Sequence, residues 1–318
     1  MPREHAKVSV FDSTVQGGDA VWEGMRVYDG RVFKMKEHLD RLFDSAAAMG
    51  FGQCSGAGDP ALVPSRAYVE DAIRATMAAN GMLHDCHMRV TLSRGPKVSS
   101  SMNPIFNAFG CCLLVLPEWK PVGGAATYDN AAGVTLITAT NRRNPPACVD
   151  SKIHHCNLIN NILPKIQANV CGAADAVMLD MEGMVAETNA TNIFLVKNGS
   201  LATPDANACM PGVTRNTIIG TLAPRLGIAC AERRVSLAEL HSADEVFTTG
   251  TMGELTPVRC IDGRPIGTRG ADGALRIPVT KQVQDAYRAQ TEDTSALPRE
   301  GAGGGVWGSV FGLSPTKP

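Results

Sequence analysis

Apolar positions along the first 120 residues recur with two periods, and the switches between them set the expected elements. Dense β-branched and aromatic content at 8–12, 20–28 and 31–35 predicts strands, with Asp29-Gly30 as the turn of a hairpin. Residues 36–49 then carry Leu39, Leu42, Phe43 and Ala46 at helical spacing and stop at Gly50. A second helix is expected over 65–79, where Val69, Ile73 and Met77 share a face and Gly81 lies just beyond. Strands follow at 87–93 and 111–117, the latter apolar enough to be a central strand.

Past a stretch rich in Gly, Ala and Asn (121–133), the pattern resumes. Strands are expected at 134–140, 176–180, 193–197 and 244–249, and helices at 158–170, 214–226 and 278–289. Pro164 should kink the first of these helices or mark its early turn. The periodicity therefore divides the chain into a small N-terminal α/β domain (1–120), a linker (121–133) and a C-terminal domain (134–291). Residues 292–318 turn to Gly, Ser and Pro and read as a disordered tail. No internal repeat is visible.

Composition narrows the function. With 318 residues, 44% hydrophobic and 19% charged, the chain has globular values and room for two lobes. A net charge of −1 argues against a nucleic-acid or membrane-surface partner. No apolar run is long enough to span a bilayer, and residues 1–13 lack the apolar core of a secretory signal. The ten cysteines lack CxxC pairs or repeated loop spacing, so they read as reduced core thiols of a cytoplasmic or organelle-matrix protein. No His/Cys cluster has metal-site spacing.

The chemistry concentrates between Val149 and Phe194 and in two later turns. Lys152 stands among polar residues before a helix, and Glu187 sits in a polar turn between apolar strands. The turns GVTR (212–215) and TTGTMGE (248–254) are rich in Gly and Thr. A reactive amine, a buried acid and two amide-rich anion cradles are the parts needed to hold pyridoxal phosphate (PLP).

The segments GDAVWEGMRVYDGRVF, EHLDRLFDSA, DSKIHHCNLINNIL, AETNATNIFLVKNG, PGVTRNTII and DEVFTTGTMGELTPV together make the chain resemble the fold type IV, or class IV, aminotransferases. That group includes branched-chain aminotransferases, D-amino-acid aminotransferases and aminodeoxychorismate lyases, and the branched-chain-like members with a D-S-K-I-H-H motif are the most similar. The resemblance spans about residues 18–290. It implies an α/β (α+β) fold of two domains, with PLP between a small lobe and a pseudo-barrel, and a homodimer.

Roles carry over by position. Arg41 matches an arginine that binds the cofactor phosphate, Glu187 the acid facing the pyridine nitrogen, and Val213 and Thr214 a phosphate-binding helix start. Thr214 also reads as the N-cap of that helix. Thr251 matches a second phosphate ligand, and Met252 offers an amide near the substrate carboxylate. Asn192 is expected to order the Glu187 turn. Tyr28 and Arg89 are candidate substrate contacts, with Trp22, Arg26 and Arg94 as neighbours on the same strands.

The lysine departs from the pattern. Many relatives place it three residues before the position of Asn157, which here holds His154, with Lys152 two residues earlier. On an extended strand those side chains share a face about 6.5 Å apart, and a bulge would bring Lys152 to the cofactor as the Schiff-base lysine. His154 can act as acid or base but cannot anchor PLP. Lys165 lies inside the following helix and fits poorly, and the adjacent His154 and His155 point apart on a strand, against a metal site. Leu158 replaces a tyrosine of the branched-chain enzymes.

The expected function is amino-group transfer between an amino acid, branched-chain first, and a 2-oxo acid. D-amino acids or amines, an aminodeoxychorismate-type lyase, and a class IV-like binding protein without catalysis are the alternatives.

Overall fold

The computed structural model describes residues 3–52, 63–121 and 128–293, in two lobes that meet at a cleft. The first lobe is built on β1 (Ala20–Tyr28), β2 (Arg31–Val32), β3 (Cys86–Ser93) and β4 (Cys112–Trp119). They form an antiparallel sheet in the order β2-β1-β3-β4. Beside it lie the short α1 (Ser13–Gly17) and two longer helices, α2 (Met35–Ala48) and α3 (Arg66–Asn80).

The alternation of β1 explains the lobe. Val21, Met25 and Val27 join Leu39 and Leu42 of α2 and Val69 and Ile73 of α3 in one core. Trp22, Gly24, Arg26 and Tyr28 have the opposite register and face the second lobe. Glu23 falls on the core side of that alternation and is fully buried. An ionised group so placed must find partners within the protein.

In the second lobe, β5 (Val134–Thr138), α4 (Ile159–Val170), β6 (Asp175–Leu179), β7 (Val185–Thr188), β8 (Asn192–Lys197) and β9 (Ser200–Thr203) come first. Next are α5 (Val213–Thr217), a π-helical turn (Ile218–Leu222), α6 (Ala223–Leu226), β10 (Cys230–Glu232) and α7 (Leu237–His241). Then come β11 (Glu245–Gly250), β12 (Glu254–Ile261), β13 (Arg264–Pro265), the hairpin β14 (Thr268–Arg269) and β15 (Leu275–Arg276), and α8 (Pro278–Glu292).

The large sheet runs β10-β9-β8-β11-β12-β5-β6-β7, with β13 beside β12. The turn at 188–191 passes β7 straight into β8, returning the end strand to the middle of the path, as a pseudo-barrel requires. On the helix-covered face of the sheet, Phe194 and Phe247 pack with Ile218 and Leu222 of the π-turn and Val283 and Tyr287 of α8, their rings nearly parallel with centroids 5.1 Å apart.

Several expected elements differ. Residues 8–12 form no ladder beyond an isolated bridge from Asp12 to Pro96; Val8, Val10 and Phe11 are exposed, and Asp12 instead caps α1. The strand expected at 31–35 ends at Val32, because Lys34 turns left-handed and α2 begins. The 111–117 run forms the edge strand β4, not a central one. Its apolar residues Leu113 and Val115 still pack on the core, which accounts for the misleading run. The helix expected over 214–226 is one path broken by the π-turn just before Pro224, whose ring nitrogen cannot donate to the ladder.

Of the cysteines, only Cys86 and Cys209 are core residues among the nine described. The tail beyond Asp293 and much of the expected linker lie outside the described residues.

Candidate functional site

Between the lobes opens a cleft of about 580 Å³, within the usual size of a small-molecule site. Trp22, Arg41 and His154 form one wall, and Glu187, Thr214 and Thr251 another. A second cavity of about 360 Å³ lies beside α8 and includes none of the expected site residues.

The first wall is organised by Glu23. Its carboxylate accepts from Arg41 Nε and Nη2 at 2.7 and 2.9 Å. It also pairs with His38 Nδ1 at 2.7 Å and His154 Nδ1 at 2.9 Å. Burial alone would raise the Glu23 pKa, but His154 and Arg41 hold it well below the carboxylate range. Glu23 is thus ionised, and both Nδ1 atoms donate to it.

His38, Arg41 and Ser45 follow helical spacing on α2, so one helix face supplies the partners. Ser45 Oγ accepts from the His154 amide at 3.0 Å. The His154 carbonyl accepts from Trp22 N at 2.9 Å, and Cys156 N donates to Ala20 O at 2.8 Å. The 154–156 segment is thereby laid along β1, and the His154 ring lies against Trp22, tilted by 39° with centroids 4.2 Å apart. Burial pushes the His154 pKa down, with Glu23 opposing. The neutral ring therefore keeps its proton on Nδ1 and its lone pair on Nε2.

On the other wall, Glu187 accepts from Arg143 Nε at 2.7 Å, Asn192 Nδ2 at 3.1 Å and Met210 N at 3.2 Å. Burial raises its pKa against the pull of Arg143. Asn192 also donates to Met210 O at 2.8 Å and so ties β8 to the Met210 loop, while the 188–191 turn is closed by Thr188 and Thr191. Gly212 is the N-cap of α5 and brings no side chain, leaving the first amides of the helix open at Val213 and Thr214. The cap is thus Gly212, not Thr214. A Cβ at Gly212 would lie 2.0 Å from Asn192 Oδ1. Arg26, fully buried, donates to Met252 O at 3.1 Å and Lys120 O at 2.9 Å, holding the 251–253 turn against β1.

The structure therefore brings Arg41, His154, Glu187, Val213, Thr214, Thr251 and Met252 to one cleft. It does not bring Lys152. Residues 150–153 form a turn, not a strand: Ile153 N donates to Asp150 O and Lys152 N to Asp150 Oδ1. The Lys152 side chain is 44% exposed, with Nζ 3.4 Å from Asp150 Oδ1. No bulge returns it to the cleft.

Tyr28 donates to Glu254 Oε1 at 2.7 Å, bridging the lobes. Arg89 sits with its guanidinium carbon 3.8 Å from the Trp22 ring centroid. Neither lines the cleft. Arg94 pairs with Asp19 and the carbonyls of Met49 and Gly50, a structural role.

Sequence reasoning missed Glu23, Arg143 and His87. A charged residue on the core side of β1 alternation was the available signal for Glu23. His87 lines the cleft, and burial pushes its pKa down to about 4. Lys165, a poor candidate by its place in a helix, is the single lysine among the described cleft residues; its Nζ is bound to Ala174 O and lies 3.4 Å from Asp175 Oδ1.

Residues 20–261 match the family Amino-transferase class IV. Branched-chain-amino-acid aminotransferase-like protein 1 of Arabidopsis thaliana is 55% identical over 294 residues, covering 92% of this chain and 50% of that protein. The chain thus spans about half the length of that relative. A putative branched-chain-amino-acid aminotransferase of Methanocaldococcus jannaschii is 35% identical, covering 89% of this chain and 91% of its own. The solved T.th. branched-chain amino acid aminotransferase with pyridoxamine 5'-phosphate superposes with a TM-score of 0.80 at 31% identity, covering 92% and 91% of the two chains.

Proposed function

The chain belongs to the class IV aminotransferases, a PLP-dependent family, and from that premise we propose that its cleft binds PLP and pyridoxamine phosphate and transfers amino groups between an amino acid and a 2-oxo acid. The observation that carries the reading is that one cleft holds both Glu187 and an anion cradle made of the open start of α5 and Thr251. Branched-chain amino acids are the proposed donors, by similarity to relatives named for them.

The residues present fit the cofactor as a held group. Thr249 Oγ1 is buried in the cleft lining without a hydrogen-bond partner. The uncapped start of α5 and Thr251 offer amides and a hydroxyl to a phosphate. Arg41 is fixed by Glu23 and the Pro211 carbonyl at 3.0 Å, and it keeps N–H groups over for an anion. Glu187, its orientation set by Arg143 and Asn192, would hold the pyridine nitrogen. The residues do not supply the anchoring amine at the expected position, because Lys152 is exposed outside the cleft.

When bound, the cofactor supplies an electron sink for proton movement at the amino-acid α-carbon. Glu187 would hold a proton at the ring nitrogen. The lobes sequester that carbon from water, and Arg26 keeps the Met252 peptide in place for the substrate carboxylate. The homodimer is also proposed; an exposed apolar stripe on α4 (Ile159, Ile162, Leu163, Ile166, Val170) supports it.

Calorimetric titration of the cofactor-free chain with PLP and with pyridoxamine phosphate tests the binding half of the reading. Saturable binding, weakened about tenfold or more in Thr251→Ala, is expected. Absence of saturable binding to either would refute it.

A further inference from the structure

His154 occupies the wall where an anchoring lysine was expected, and its surroundings are those of a working imidazole. Its Nδ1 is committed to Glu23 at 2.9 Å, its amide to Ser45 Oγ at 3.0 Å, and its ring rests on Trp22. The side chain is 16% exposed, at the cleft. Among the described residues Nε2 has no hydrogen-bond partner, and it is not among the buried polar atoms left unsatisfied. A carboxylate that orients one ring nitrogen and leaves the other to a reacting group is the arrangement of an acid–base histidine.

We propose that His154, acting through Nε2, is the acid–base residue of this cleft, with Glu23 as its positioning residue, and that the cofactor is held without a covalent bond to any lysine. The proposal rests on the aminotransferase reading above. The step is proton transfer alone. In the direction from pyridoxamine phosphate and a 2-oxo acid, condensation releases water. Nε2 then takes a proton from the aminomethyl carbon, which leaves its bonding electrons behind. Nε2 delivers that proton to the former carbonyl carbon, and hydrolysis takes the water back. The products are an amino acid and PLP, and no external oxidant or reductant enters.

The charged and titratable groups facing His154 are Glu23 from β1 and Arg41 and His38 from α2. Glu23 favours the imidazolium, whereas burial and the two α2 groups oppose it. The Glu23 carboxylate therefore serves twice, fixing the ring and supporting the charge that Nε2 acquires when it takes the proton.

The test uses the full chain loaded with PLP or pyridoxamine phosphate. Binding is measured by calorimetry, covalent attachment by borohydride reduction and peptide mass mapping, and turnover by one half-reaction with a 2-oxo acid. The wild type is expected to bind both forms and to give no pyridoxyl-lysine. Lys152→Ala should turn over at the wild-type rate. His154→Gln should bind pyridoxamine phosphate within about threefold of wild type while losing roughly 10²- to 10⁴-fold in rate.

His154→Lys should gain a borohydride-trapped adduct at position 154. Glu23→Gln should move the acid limb of the pH–rate profile to lower pH, with Glu23→Asp restoring part of the rate. A wild-type adduct on Lys152 or Lys165, lost with transfer in the matching alanine variant, would overturn the proposal and leave the aminotransferase reading standing. No binding of either cofactor form would overturn both.

Discussion

Replacing Arg143 with methionine tests the electrostatics of the Glu187 wall. The two side chains meet at 2.7 Å and are each only 6% exposed, so water cannot replace the lost partner. Removing one member of such a buried pair costs about 3–5 kcal/mol, because the surviving charge stays desolvated. With a urea m-value of roughly 3 kcal/mol/M, that is a fall of about 1–1.7 M in midpoint.

The pH dependence follows from Glu187. Its pKa is raised by burial even with Arg143 present, and without Arg143 it rises further. A carboxyl with a raised folded pKa is most costly above that pKa and is relieved as it takes a proton below it. The variant's deficit should therefore be larger at pH ~8 than at pH ~5. Urea unfolding of both proteins at the two pH values checks this. A deficit below about 1 kcal/mol at both, the value of an exposed pair, would refute the reasoning.

Three further outcomes are expected. Gly212→Ala is allowed by its backbone, φ −63° and ψ 139°, but its Cβ meets Asn192 Oδ1 at 2.0 Å. It should weaken cofactor binding roughly 10- to 100-fold by calorimetry and cost about 1–3 kcal/mol in stability. Burial pushes the His87 pKa down to about 4, so stability is full above the unfolded value near 6.5 and is lost as pH falls toward about 4. His87→Gln should remove up to about 3 kcal/mol of that acid-side loss, read from denaturation across the same window. Ile162→Lys with Ile166→Glu should turn a dimer into a monomer in light scattering, while monomeric wild-type protein would remove the proposed interface.

Much of the fold was legible because its helices and inner strands bury clean periodic faces. The stripes of α2 and α3 appear in the core as expected, at Leu39, Leu42, Val69 and Ile73. Edges were less legible: β4 is as apolar as a central strand because Leu113 and Val115 still pack inward. The π-turn before Pro224 depends on how a missing backbone donor is accommodated, which a hydrophobic pattern does not record.

For the site, the anion cradle and Glu187 carried their own local signals of Gly, Thr and a polar turn. The Glu23 cluster did not, because its partners His38, Arg41 and His154 come from separate parts of the chain. Lys152 was misplaced for a definite reason. The strand geometry assumed for 152–154 gave both side chains one face, whereas the Asp150 turn sends Lys152 outward and the bridge to β1 sends His154 inward.

The central claim is that this cleft transfers amino groups, and following the nitrogen tests it most directly. The chain loaded with PLP would be given leucine carrying isotopically labelled nitrogen together with 2-oxoglutarate, and the products read by mass spectrometry. Label appearing in glutamate, and lost in Glu187→Ala, is the predicted result. Bound cofactor with no label in any amino acid, across branched-chain, D-amino-acid and amine donors, would contradict it.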